Sequence, residues 1–466
     1  MKQPLKHALL LPMLLVSAVS TAQAADITVN GTTCTLADAI TAANTDTATG
    51  GCAAGSIDDE DIIILETNVT LSAALPEINS PVTIKGNKHF ISGNNNASVG
   101  SVLSVAEAGV LTLIDTTITG GNTSNFNCGG GINNYGLLIL EGTAITGNTS
   151  ASNGGGICNA VTGMPPDVIG GALIMTNSTI SGNTADYGAG IYNYSDAIVN
   201  LENSAITGNT SSAIGGGMYS SGIVTLNESI VSGNTSSVGA GIFNGGGDLE
   251  LINSTVSGNR ASQSSGGLYS ISGNLTLNSS TVSNNSAVYY GAGIMGSDDL
   301  GIGNEIDLRN SIISGNTGDG GKEFCLRNLA NTVVTADNFN LFGHSGETSE
   351  QAFRSTDSYC EGFTPGASDF TATSDGTVPT ALAAILSPLA NNGGPRKTHA
   401  LVADSPAIDL DVSCSNVNAL NMHDQRKYER PVGLGCDAGA YEFNPDNTGS
   451  TPSVNMKSIY KLLLNK

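Results

Sequence analysis

The chain has 466 residues, of which 60 are Gly, none is Trp and only 12% are charged. Acidic residues outnumber basic ones 40 to 17, and the formal charge of −23 argues against a nucleic-acid partner by long-range repulsion of phosphate. A hydrophobic content of 39% is enough for a core, which sets aside wholesale disorder.

Lys2 and Lys6 precede an apolar run from Ala8 to Val19, and Ala22-Gln-Ala24 has the small-x-small form of a signal peptidase site. Residues 1–24 therefore read as an export signal, since the run is short for a membrane helix and no basic flank follows. Its removal leaves 15 basic against 40 acidic residues, a charge of −25. No later apolar stretch reaches spanning length, so the remainder is expected to be exported without a transmembrane segment.

Eight cysteines in an exported chain suggest four disulfides, whose connectivity the sequence leaves open. They cluster as Cys34 and Cys52, Cys128 and Cys158, Cys325 and Cys360, Cys414 and Cys436. Residues 25–61 form a cap segment in which Cys34-Thr-Leu-Ala-Asp-Ala-Ile40 is a candidate short helix over the first coil. The acidic run Asp58-Asp-Glu-Asp61 offers Ca²⁺ ligands, as does Asp298-Asp299, but neither an EF-hand nor a nonapeptide Ca²⁺ repeat occurs. The plainer reading of Asp58 to Asp61 is a solvated lead-in to the strand Ile62-Ile-Ile-Leu65, with no cofactor required.

Residues 62–320 are a repeat. Ile-Ser/Thr-Gly-Asn returns at Ile145, Ile180, Ile206, Val231, Val256 and Ile313, with degenerate copies at Ile118 and Val282, spaced 27, 35, 26, 25, 25, 26 and 31 residues. In phase with it run two apolar columns two residues apart, Leu111 to Ile306 and Leu113 to Leu308. A separation of two is strand alternation, so both columns are expected to point inward from one short strand. A third piece reads Gly129-Gly-Gly-Ile132, Gly154-Gly-Gly-Ile157, Gly188-Ala-Gly-Ile191, Gly215-Gly-Gly-Met218, Gly239-Ala-Gly-Ile242 and Gly291-Ala-Gly-Ile294. With no helical pattern in the unit, three short strands per turn predict an all-β right-handed parallel β-helix with coils of about 25 residues. Phase-locked spacing outweighs the alternative of a β-sandwich.

These repeats resemble those of polymorphic outer membrane proteins over roughly Val110 to Asn316. The Cys34 segment, followed by Ala43-Asn44, is similar to the CSLREA-type opening of bacterial surface β-helix proteins, with Ala37 and Asp38 where that pattern has Arg and Glu. In residues 321–443, Ala390-Asn-Asn-Gly-Gly-Pro395, His399-Ala-Leu401, Ser405-Pro-Ala-Ile-Asp409, Asp424-Gln-Arg426 and Cys436-Asp-Ala-Gly-Ala-Tyr-Glu442 resemble choice-of-anchor Q domain proteins. Together these resemblances imply an exported β-helix, secreted or held at the cell surface or outer membrane of a bacterium, and bring no activity with them. Residues 444–466 read as a flexible tail with neither a sortase motif nor a spanning helix.

Catalysis on the coils is expected to be absent. Lyases acting on polyuronates need cations or basic side chains, yet Arg260 and Arg309 are the only basic residues between Phe90 and Lys322. Glycosidase carboxylates could come from Asp186, Asp196, Glu202, Glu228, Asp248, Glu250 or Asp298-Asp299, although outward acids on an acidic rod are usually just solvated. A more distinctive feature is the outward column Cys158, Tyr192, Tyr219, Phe243, Tyr269 and Met295, which places an aromatic ring on four consecutive coils. Stacking of neighbouring coils accounts for it in one reading, and a platform for sugar rings in the other. Insertions after Ile157 and Ile294 fall at the same corner and favour the second. The expectation is thus a binding or adhesion protein contacting extracellular polysaccharide or a host or neighbouring cell surface. The alternatives are a polysaccharide lyase or glycoside hydrolase on the same scaffold, or an inert stalk.

Overall fold

The computed structural model describes residues 26–445 apart from 58, 125–127, 163–168, 300, 302, 329–330, 337, 356–358 and 416–421. The export signal, the far tail and Asp58 lie outside these residues. The chain winds as an all-β parallel solenoid whose coils lay their strands on four faces of the column, the central coils contributing to all four. Two faces are 12-stranded sheets, beginning at Asp26–Val29 and Val69–Thr70 respectively. The other two are a seven-stranded sheet beginning at Asn122–Thr123 and a nine-stranded sheet beginning at Leu103–Val105.

Register on the first sheet is the one the two columns require. Leu111, Leu138, Leu173, Val199, Val224, Leu249, Leu275 and Ile306 are direct partners from coil to coil, and all are buried. The second sheet contributes the inward file Ile118, Ile145, Ile180, Ile206, Val231, Val256, Val282 and Ile313. The nine-stranded sheet contributes Ile132, Ile157, Ile191, Met218, Ile242, Leu268, Ile294 and Phe324. The seven-stranded sheet is an addition to the three expected strands. Its inward residues, among them Ser150, Ala185, Ser211, Ser236 and Ala261, are buried but small, so they leave no apolar periodicity to read.

The stack also outruns its expected ends. Asp26–Val29 pairs in register with Asp61–Leu65, so the cap segment itself supplies the first strand. Beyond residue 320, Phe324–Arg327, Thr332–Thr335, Leu341–Phe342 and Phe370–Thr371 extend three of the sheets. Helix α1, Leu36–Thr45, is N-capped by Thr35, whose hydroxyl accepts from Asp38 N. Its Leu36, Ala39 and Ile40 join the same core as the first strands and cover their open end. Among the described residues no helix is long and apolar enough to cross a membrane.

Polar ladders run inside the corners. Asn148, Asn183, Asn209, Asn234, Asn259, Asn285 and Asn316 each occupy the same position in successive coils and are buried. Each Nδ2 donates to the next Oδ1 at 2.9–3.0 Å and to a strand carbonyl of the preceding coil, while each of these Oδ1 atoms from Asn183 onward also accepts the preceding ladder residue's backbone N–H. Only a short amide supplies two donors and an acceptor in that space, which is why Asn recurs. Every step donates forward, so the last residue needs an acceptor outside the ladder. Glu323 is that partner, its Oε2 taking Asn316 Nδ2 at 2.5 Å.

The first Gly of each Gly-x-Gly piece has a positive φ, 61° at Gly239 and Gly291, and the third packs its Cα against the next coil's carbonyl. Ser265 takes the first position between those two coils at φ 60°, fully buried, with its Oγ unbonded to any protein group. Ser265→Gly is expected to stabilise the protein by about 1 kcal/mol by removing left-handed strain and an orphaned hydroxyl. Urea denaturation checks this, and a loss of stability would contradict the assignment.

Candidate functional site

The aromatic column sits on the outer side of the nine-stranded sheet, in register from Cys158 through Tyr192, Tyr219, Phe243, Tyr269 and Met295 to Cys325. Tyr192 and Tyr219 stack at 4.7 Å with planes 4° apart, Tyr219 and Phe243 at 5.2 Å and 10°, and Phe243 meets Tyr269 edge-on. Such pairs add roughly 0.5–1.5 kcal/mol each beyond area burial. The expectation of an open four-ring platform needs correcting. Phe243 and Tyr269 are only 7% and 6% exposed, because Ile214, Val238, Tyr290 and Tyr359 close over them into an apolar cluster with Met295 and the Cys325–Cys360 disulfide. Alternation fixes which way a side chain leaves the strand and says nothing of what later folds across it. Tyr192 and Tyr219 remain half-buried. Burial pushes the Tyr192 and Tyr269 phenols above their ordinary value, so both stay protonated.

The open end of the ring file leads into a cleft of about 510 Å³. Tyr194, two residues after Tyr192 and packed edge-on against it at 4.7 Å, forms one wall. Tyr135, Ser101, Ser104, Asn133 and Thr123 contribute others, with Val99 and Val102 as the apolar part. Asn133 Oδ1 and Thr123 Oγ1 are buried there without a hydrogen bond to protein. The sequence signal for Tyr194 was the same two-residue alternation that exposed Tyr192. Asn133 and Thr123 carried no signal, because their coils lack the aromatic ring that drew attention to the column. The insertion after Ile157 forms a two-stranded antiparallel hairpin, Val161–Thr162 with Ile169–Gly170, and Val161 lines the cleft.

Most of the carboxylates considered for catalysis have structural partners. Asp186 accepts from Ser212, Asp248 from Asn274 at 2.7 Å, and Glu202 and Glu228 share Lys427 at 3.4 and 2.5 Å. Asp196 is exposed at a left-handed corner. Glu250 is pushed up by burial against a smaller opposing pull from Arg309, itself paired with Asp307. Arg260 is exposed. Among the Ca²⁺ candidates, Asp298 is buried and accepts from Ser272, Gly303 and Asn331, Asp299 pairs with Arg327 at 3.4 Å, and Asp61 accepts from Ser56 N. These residues do not converge on a common point.

All four disulfides join the clustered pairs: Cys34–Cys52, Cys128–Cys158, Cys325–Cys360 and Cys414–Cys436. They are compatible with an exported protein. The C-terminal motifs prove to be a strap on the outer side of the second sheet. Arg396 donates to the carbonyls of Asn203 and Ser178, His399 meets Ser257 at 2.8 Å, Gln425 accepts from Thr255, and the Ala440 and Gly439 amides bond Thr281 and Asn310. Outward Ala205, Ile230, Thr255, Thr281 and Ile312 are buried in consequence.

Within the strap, Arg426 binds Asp424 at 2.5 Å and Arg430 binds Glu442 at 3.0 Å, all four side chains fully buried. Arg426 also lies 3.5 Å over the Tyr441 ring. Burial and the adjacent Glu442 push Asp437 up to about 7, against the pull of the Asp409 and Phe443 amides and Arg430. Glu442 is raised by burial, with Arg430 opposing.

No protein-family model matches this chain, and no curated protein or solved structure is detectably similar to it.

Proposed function

We propose that the protein is an exported, non-catalytic binding or adhesion protein, and that the cleft at the open end of the tyrosine file receives extended polysaccharide. The observation that carries this reading is the lining of that cleft. Tyr194 and Tyr135 offer ring faces, with Tyr192 packed edge-on against Tyr194 as its support, and the unpartnered Asn133 and Thr123 oxygens offer acceptors, the combination that holds a sugar by stacking and hydroxyl donation. Export rests on the disulfides and the leader-like N-terminus, and surface attachment rests on the choice-of-anchor resemblance. The non-catalytic reading rests on the structural partners of most candidate carboxylates and on the scarcity of cations along the coils.

A glycan array probed with the full chain is expected to show retention of a polymeric glycan. Tyr192→Ala with Tyr194→Ala should weaken it at least tenfold, about 1.4 kcal/mol or more, while circular dichroism stays unchanged. Equal retention by this folded variant would refute the site. Release of unsaturated uronate from a polymer panel, abolished by a carboxylate variant, would favour a lyase instead.

A further inference from the structure

At the C-terminal end of the asparagine ladder, three side chains with metal-ligating atoms come together. Glu323, His344 and Glu347 each present one such atom, all within 4.8 Å of one another, and they are the only group of this kind among the described residues. We propose that they form a binding site for a divalent first-row transition metal ion such as zinc, which locks the last coils together.

Each ligand is held by a different constraint. Glu323 immediately precedes the strand Phe324–Arg327, and its Oε1 is fixed by the Gly315 amide at 2.7 Å while Oε2 ends the ladder at Asn316. His344 and Glu347 lie on the turn after Leu341–Phe342, ahead of helix α2, Ser349–Phe353, which Thr348 and Gln351 cap reciprocally. Gly343, at φ 71°, lets this turn close, since a Cβ there would lie 3.2 Å from Glu347 Oε1 and 2.6 Å from Thr373.

The second, independent sign of a ligand is Glu347 itself. Its side chain is fully buried and aimed at Glu323, yet neither carboxylate oxygen has a hydrogen bond to protein. Lys322 Nζ stands off at 4.0 Å, beyond hydrogen-bond reach. Two buried carboxylates facing each other are costly unless a shared proton or a cation lies between them. A divalent ion bound to both would meet that need. The half-exposed His344 leaves a way in, and its Nδ1 now accepts the Gly346 amide at 3.0 Å. One imidazole nitrogen with two carboxylates suits zinc and its neighbours, whereas Ca²⁺ asks for six to eight oxygens.

The test uses the full chain stripped with EDTA, reloaded with zinc and passed through gel filtration. Expected are close to one zinc per chain by elemental analysis and a raised melting temperature, with Ca²⁺ giving neither. Glu347→Gln and His344→Ala should each weaken zinc binding at least 100-fold, and the remote His89→Ala should leave it unchanged. Should Glu347→Gln fail to fold, His344→Ala alone decides, because that ring is half-exposed and anchors only through Gly346. Less than a tenth of a zinc per chain, or equal zinc uptake by wild type and His344→Ala, would overturn the site. A glycan-array result leaves this outcome unaffected, since the cluster lies in coils remote from the cleft.

Discussion

Asn234→Ala is expected to cost about 4 kcal/mol. The amide in the wild type accepts from Asn209 N at 2.9 Å and Asn209 Nδ2 at 3.0 Å, and donates to Ile206 O and Asn259 Oδ1. Truncation strips partners from Asn209 N and Nδ2 and from the Ile206 carbonyl, all away from water, at roughly 1–3 kcal/mol per orphaned group. Partial relaxation and the shared donors bring the sum down. Asn274, exposed and with its side chain donating to Asp248, is the control, and its change to Ala should cost about 0.5 kcal/mol or less. Chemical denaturation compares the two. A loss below about 1 kcal/mol for Asn234→Ala would mean that the ladder is incidental to stability.

The second large effect is on the strap. Arg430→Met keeps the stem's packing but leaves Glu442, and Asp437 beside it, buried without a cation. Breaking one side of a buried pair costs about 3–5 kcal/mol. The loss should depend on pH in a defined direction. Both carboxyls have folded values raised above their unfolded ones, Asp437 to about 7. Their protonated forms are therefore favoured by folding, and the associated stability is complete below about pH 4 and is lost as pH rises toward 7. Removing Arg430 raises both further, so the variant should be most impaired above pH 7 and recover toward pH 5. Melting temperatures of both proteins from pH 5 to 8 check this. A deficit that grows on acidification would contradict it. Glu442→Gln added to Arg430→Met should restore part of the loss at neutral pH.

The inward files were legible because each is a repeated large apolar residue with fixed phase, as in Leu138, Leu173 and Val199. Burial of those files needs no more than strand alternation and a constant coil length. The ladder asparagines were visible as a recurring letter, but their forward-donating chain, and hence the need for Glu323 at its end, depends on which corner turns inward. The seven-stranded sheet was silent, since Ser211 and Ser236 look like turn residues. The covering of Phe243 and Tyr269 is not legible, because the residues over them, Tyr290 and Tyr359, come from a later coil and from beyond the repeats. The strap motifs are visible in the sequence as a family resemblance, but their docking site on the coils is not. Their meaning is contact with strands as far away in sequence as Ser178, 218 residues before Arg396. Glu323, His344 and Glu347 share no spacing pattern, and only the closing of the last coils brings them together.

Everything rests on coils stacked so closely that the corner amides bond from one turn to the next. Hydrogen exchange on the intact chain, read by mass spectrometry or NMR, reports on this directly. The backbone amides of Asn183, Asn209, Asn234, Asn259 and Asn285, each donated to the neighbouring coil's ladder oxygen, should be among the slowest in the molecule, as slow as those of the inward strand residues. Exchange at those five positions as fast as at the exposed corners around Asp196 would contradict it.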